Sequence, residues 1–464
     1  MNPIAPVFFL YLVVMGWLFQ RRTKWLTSFG IFTLLLGGLF VRYGVAVPFS
    51  DDSNPTMTHI AIKPERLADF YVAVAMSYAG IYLGVLVLDL LWAAGAFGRV
   101  RATVDGLQTV SPTWALALVA GLITAVVVVA WIVIPWSDFV NGINSFLPGH
   151  TAVAYRQQRL QYGAQTSYLN SGFAYLGSFA RFALAPVALW VLFFHRKRSR
   201  LLLAMFWLLL ATLLLIGFFS GQKLPALLLL GGFVIALLIQ QGRPSLLDWR
   251  RAATTLGIAA GFVLVIGPAL YKLQYPQLDY LTVLQVTVYR LTEEYSRVAQ
   301  LRFVFYPDLH PYLNGMSSFI LRGIATWVGF NTSSAQSPET YIPEHTAGVG
   351  PSYGGAWNAG YFADAWADFG FFGVAAASIL VGFIVRAIDR WYTASGRGPV
   401  EMGVYVAVCI SALYVSEVAT LSSLWTYGLG SAFLVYGVLR LAAARSQPAE
   451  TFAPPGQQSV EPRV

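Results

Sequence analysis

Apolar runs about as long as a bilayer is thick recur along this chain, at about residues 3–19, 26–47, 69–96, 113–135, 171–194, 201–219, 224–241, 252–270, 357–385, 402–418 and 423–442. A hydrocarbon core of about 30 Å is crossed by about 20 apolar residues in a helix. Lipid offers the backbone no hydrogen-bond partner, so only helices and closed barrels can span it. Runs of this length predict an all-α polytopic integral membrane protein with about eleven transmembrane helices. Composition agrees: 11% of the 464 residues are charged, against roughly 25% in soluble domains, which excludes a water-soluble enzyme. Neither nucleic-acid binding nor a thiolate metal site is expected, because there is no basic soluble domain and Cys409 is the single cysteine.

Charge orients the spans. The first run has no basic residue before it and Arg21, Arg22 and Lys24 after it, the reverse of a secretory signal peptide. Short basic loops stay cytoplasmic, so the N-terminus is placed outside and the C-terminus inside. Of the 30 Lys and Arg residues, 18 then lie in short inner loops and the C-terminal tail. The remaining cations fall on the outer side, five of them in one long segment.

Four regions follow: residues 1–270 with eight spans, a large periplasmic loop at 271–356, three spans within 357–445, and a disordered cytoplasmic tail at 446–464. Two shorter outer segments, 48–68 and 136–170, are also long enough to carry function. Within the large loop, Leu281–Phe305 places Leu284, Val288, Leu291, Val298 and Leu301 on roughly one helical face. Its charges, among them Arg302, make a crossing costly, and an amphipathic helix lying at the outer interface is expected. Met316–Phe330 resembles it, and Asn331–Gly355, rich in Ser, Pro and Gly, reads as irregular loop.

Outer cations in apolar surroundings suit a lipid-linked diphosphate, and arginine's planar fork matches phosphate oxygens. Lys223 follows the tight corner Ser220-Gly221-Gln222 and precedes Pro225. An ammonium at a helix N-terminus makes an anion site, although a headgroup anchor is the plainer alternative. In Tyr289–Arg297, Arg290 with Glu294 and Glu293 with Arg297 are i,i+4 pairs: either surface salt bridges, or a base with phosphate-holding arginines. His345 stands in an outward loop where it could act as base near neutral pH, or stand idle. Asp364 and Asp368 share a face of the following span, where they could be catalytic or pair with outer arginines. Asp51-Asp52 could bind a divalent metal but reads more simply as a solvated acidic turn.

These residues resemble, over about positions 200–400, bacterial oligosaccharide repeat-unit polymerases of the O-antigen and enterobacterial common antigen type, the Wzy proteins. The likeness rests on Gly221-Gln222-Lys223 between two spans, Tyr289–Ser296 opening the outer loop, Glu344-His345-Thr346-Ala347-Gly348 before a span, and the span end Val381–Trp391. Related members often carry arginine where this chain has Lys223.

The resemblance implies a metal-independent glycosyltransferase without cofactor, at the periplasmic face of the bacterial inner membrane. It would join undecaprenyl-diphosphate-linked glycans for surface polysaccharide, with membrane lipids, a chain-length regulator and a flippase as partners. In that reading Lys223, Arg290 and Arg297 hold diphosphate, and Arg156, Arg159 and Arg181 are further phosphate contacts. His345 or Glu293 is the base, and Asp364 orients the His345 ring. An O-antigen ligase has the same layout. A lipid-linked oligosaccharide flippase would also bury cations among spans, but would show inverted repeats and interrupted helices, neither of which is expected here.

Overall fold

The computed structural model describes residues 4–26, 30–45, 64–96, 184–219, 223–240, 360–395, 398–416 and 428–445, with short pieces between 257 and 328. The described residues are helical and contain no strand. In chain order the helices are α1 (Ile4–Thr23), α2 (Ile31–Leu39), α3 (Pro64–Ala93), α4 (Ala185–His195), α5 (Arg200–Phe219), α6 (Lys223–Gln240), α7 (Tyr361–Ala394), α8 (Pro399–Val415) and α9 (Ser431–Arg445). A π-helical turn, Phe40–Val45, prolongs α2. The expected span at 113–135 and the tail lie outside the described residues, as does most of the span at 252–270.

Two helices, Ala68–Ala93 and Tyr361–Ala394, are long and apolar enough to cross a membrane. The outward faces of the helices are apolar as well: Val7, Leu10 and Trp17 on α1, Leu201 and Leu208 on α5, Leu434 and Val438 on α9, and Phe372 on α7, 79% exposed. Contiguous apolar surface of this kind is destabilising in water and stable against lipid.

The most extensive packing joins α3 and α7. A methyl added at Gly84 would be driven into the Ile379 carbonyl, and one at Gly382 into the Ile81 carbonyl. Without a hydrophobic drive between helices in lipid, such small residues bring two backbones within van der Waals reach. The pair runs parallel, with Gly80 against Ser378 and Asp89 bonded to Arg386 and Arg390 farther along. α1 is parallel to α3, since Phe8 meets Tyr71 and Phe19 meets Tyr82. α2 is parallel to α8: the Ile31 amide donates to the Tyr405 hydroxyl, and Arg42 reaches Leu413 at the far end.

Asp89 ties the ends of three helices together. Arg386 grips it bidentately, Nε to Oδ1 at 2.9 Å and Nη2 to Oδ2 at 3.1 Å. Arg390 adds a bond at 2.9 Å, and Arg22 of α1 lies at 3.9 Å. Arg386 also donates to Asp389 at 3.1 Å. Arg386 and Arg390, expected in a short inner loop, thus lie in the last turns of α7, which continues past the expected end at 385 because their charges are matched within the bundle. Asp89→Asn should lower unfolding stability by about 3 kcal/mol, the scale for removing one partner of a buried pair, read as a lower melting temperature of the detergent-solubilised protein. Arg390→Gln, whose side chain is more exposed, should cost well under half of that.

A second departure concerns α7, expected as one uninterrupted span. Phe369 (φ −139°, ψ 17°) and Gly370 (φ 62°, ψ −150°) break it. Gly370 occupies a region that essentially only glycine enters. The segment 361–368 folds back along the helix that follows: the Tyr361 hydroxyl lies 3.0 Å from Ser378 Oγ, whereas 17 residues of straight helix would separate them by about 25 Å. The Ala365 carbonyl likewise packs on Gly373. What remains, 371–394, is about 36 Å of helix, enough for the hydrocarbon core. An interrupted helix is therefore present where none was expected. Periodicity cannot register the break, because both halves are apolar.

Candidate functional site

The folded-back segment gathers the polar groups at the end of the bundle where α3 and α7 begin, the end that the charge pattern places outside. Asp364 lies in its first turn, after Gly360, where the helix dipole favours a carboxylate. Arg302 meets it there, Nη1 to Oδ1 at 3.0 Å. Arg302 is 0% exposed and Asp364 3%. The neighbouring side chains form an aromatic cluster: Phe303 stacks on Trp366 at 4.3 Å, and Phe70 meets both Phe303 and Phe362. Water is excluded, so the attraction between the two charges acts at low effective dielectric. Asp368, one turn on, is buried too.

Arg302 belongs to the long segment between the spans. Residues 280–285, 287–288, 299–300 and 302–303 of that segment are helical, in keeping with the helix expected over 281–305. Asp279 starts it as N-cap: Oδ1 accepts the Thr282 amide at 2.9 Å and Oδ2 the Thr282 hydroxyl at 2.6 Å. Those two bonds hold its carboxyl below the usual range. Leu281 and Val288 are exposed, whereas Val283, Thr287, Ala299, Gln300, Arg302 and Phe303 are buried. The exposed positions fall on one stripe and the buried ones on another, the amphipathic pattern expected of this segment. The Arg302 end instead plugs into the bundle. The expectation that every charge of this helix stays at the interface is corrected for Arg302, because Asp364 supplies the missing counter-charge.

Arg42 lies beside this cluster, on the π-helical turn. It donates to Ser416 Oγ and, at 3.4 Å, to the Leu413 carbonyl, while the Tyr43 hydroxyl donates to the Ser416 carbonyl at 2.6 Å. The Leu413 carbonyl also accepts the Ser416 amide at 3.2 Å and the Ser416 hydroxyl at 2.7 Å, so Arg42 and Tyr43 add to the cap that Ser416 forms at the end of α8. A cation there also matches the negative end of the dipole. Gly360 packs against Tyr43 and Ser416, so the caps of α8 and of the folded-back segment share one spot. Arg42, expected as an outer cation within an apolar run, is thereby accounted for as part of a helix cap.

Of the expected site residues, the structure places Asp364 fully, and α6 begins at Lys223, as the corner before Pro225 predicts. The Lys223 side chain lies outside the described residues, and so do His345, Glu293, Arg290, Arg297, Arg156, Arg159, Arg181, Asp51 and Asp52. Among the described residues no group of three or more His, Cys, Asp or Glu side chains could hold a metal ion. Arg302 was not among the expected site residues. The signal that could have found it was Asp364 itself: a carboxylate inside an apolar helix requires a cation from elsewhere in the chain, and the long outer segment holds five. Comparison of the chain with protein-family models, with curated proteins and with solved structures finds no match.

Proposed function

We propose that the protein is an eleven-span inner-membrane glycosyltransferase that polymerises undecaprenyl-diphosphate-linked repeat units on the periplasmic side. The observation that carries this reading is the buried Arg302–Asp364 pair, which anchors a long, cation-rich segment onto the outer end of a membrane bundle. A transferase acting on a lipid-linked substrate needs its charged groups held at that level. The parallel pairs α1/α3, α3/α7 and α2/α8 support the topology, because they join spans that the charge alternation runs in the same direction.

In the reaction an acceptor hydroxyl oxygen attacks the anomeric carbon of the growing chain. The bond from that carbon to the diphosphate oxygen breaks, and the lipid diphosphate departs with the electron pair. Lys223, Arg290 and Arg297 neutralise the charge that develops on it, with Arg156, Arg159 and Arg181 in support. His345 or Glu293 takes the hydroxyl proton. Arg302 and Asp364, both buried, are positioning residues.

A second reading, a lipid-linked oligosaccharide flippase, is favoured by the interruption at Phe369–Gly370, since broken helices line transporter sites. The surface glycan of a deletion strain separates the readings. A single repeat unit on normal core supports the polymerase, accumulated lipid-linked polymer means a ligase, and single units retained in the cytoplasm mean a flippase. In the complemented strain Lys223→Ala should abolish polymer at a normal protein level, while Lys223→Arg retains it. Full-length polymer from the alanine variant would return Lys223 to a headgroup anchor.

A further inference from the structure

Between α1 and α2 runs a groove of about 380 Å³, and its mouth at Gln20 lies toward the end of the bundle where Arg22 meets Asp89. Its walls are apolar: Phe9, Leu12, Val13 and Trp17 come from α1 and Phe40 from the turn after α2. Gly16 forms the floor, where a methyl would meet only Phe40 and Trp25 at ordinary contact distances. Trp25 folds back as the rear wall, donating its indole N–H to the Gly16 carbonyl at 3.0 Å and stacking on Phe40 at 5.3 Å. From Phe9 to Gln20 the groove follows roughly 16 Å of helix.

The lower rim is cationic. Gln20 closes it by accepting the Leu26 amide at 2.8 Å, and the Arg21 guanidinium lies over the Trp17 ring at 4.8 Å. Lys24 takes the left-handed conformation that ends α1 (φ 53°). Close by, Arg22 joins the Asp89 cluster, in which three arginines face two carboxylates. An apolar slot that opens at a net positive rim is complementary to an amphiphile with an anionic headgroup.

We infer that this groove binds one acyl chain of an anionic glycerophospholipid, with its phosphate held at the Arg21–Lys24 rim. The source follows from length and position. About 16 Å matches a fatty acyl chain and is far short of a polyprenyl chain, and the rim lies at the opposite end of the bundle from the pair that anchors the outer segment. The inference rests on the protein residing in a membrane and is independent of the glycan chemistry.

The test is photolabelling in phosphatidylcholine vesicles containing a minor fraction of phosphatidylglycerol with a diazirine at mid-chain, against the same label on phosphatidylcholine. Each basic residue near the headgroup contributes about fivefold in binding. Phosphatidylglycerol should therefore label residues 9–26 at least about fivefold more than phosphatidylcholine. Arg21→Gln with Lys24→Asn should reduce it to the phosphatidylcholine level, and Gly16→Leu, which fills the floor, should lower labelling by both lipids. The charge variants change the rim, where Arg21 lies over Trp17, and leave the floor at Gly16 and the rear wall at Trp25 intact, so they keep the test valid if Gly16→Leu fails to fold. Equal labelling by the two lipids, or labelling unchanged by the charge variants, would overturn the inference. Displacement by a polyprenyl phosphate but not by phosphatidylglycerol would overturn it in favour of an isoprenoid, and cross-linking of α1 to another polypeptide in favour of a protein interface. Surface polymer made by the Arg21 and Lys24 variants should be unchanged, so the lipid site and the glycosyltransferase reading fail separately.

Discussion

Gly382→Val should remove most of the folded protein. At this position the α3 and α7 backbones touch, and a side chain would be forced into the Ile81 carbonyl. Backbone cannot yield as a flexible side chain can. The two helices must separate, and the separation breaks the reciprocal contact of Gly84 with Ile379 and strains the Asp89–Arg386 pair. Overpacking of a well-filled core costs about 1–3 kcal/mol, and occasionally more. Here the upper part of that range is expected, because the packing surface is the main source of helix association in lipid. The measurement is the monodisperse fraction in size-exclusion chromatography after mild detergent extraction. Gly437→Val on α9 is the control, since a methyl there meets nothing within 4 Å. Equal recovery of Gly382→Val and Gly437→Val would refute the α3/α7 contact.

The second large effect is expected at the buried pair. Arg302→Met or Asp364→Leu alone should destabilise by about 3–5 kcal/mol, since each leaves a charge buried without its counter-charge. The double variant should recover most of that loss, because an apolar pair of similar volume fills the same buried site. Thermal unfolding in detergent gives the stabilities, and the coupling follows from the double-mutant cycle. If the pair only positions the outer segment, polymer length on the cell surface should return together with stability in the double variant. Restored stability without polymer would make the guanidinium or the carboxylate part of the chemistry. Additive losses, with no recovery, would remove the pairing altogether.

Helical content, the apolar character of the outward faces and the starting points of several helices were legible from the residues in order. α5 begins at Arg200 and α6 at Lys223, where basic residues or a Gly-Gln corner interrupt an apolar run. These are local features, set by hydropathy and by what a helix end tolerates. Asp364 was also legible as a residue that needs explaining, because a carboxylate in an apolar helix is costly without a partner. Its partner was not. Arg302 lies 62 positions away and was assigned to the interface on the strength of its own charge.

What the residues in order determined about this protein is its helical and apolar character: long apolar runs with charge swept into the connections give helices whose outward faces are apolar. What only the tertiary structure decided is which charges may leave water. Arg302 is buried because Asp364 meets it, Arg42 because the end of α8 offers its carbonyls, and Arg386 because Asp89 lies on the neighbouring helix. The folded-back segment of α7 belongs to the same category, since its hydroxyl contact to Ser378 and its packing on Gly373 exist only once the chain has turned at Gly370. Hydropathy is a property of each residue alone and can be summed along a chain. The cost of burying a charge or breaking a helix depends on a partner elsewhere in the chain, which no local sum contains.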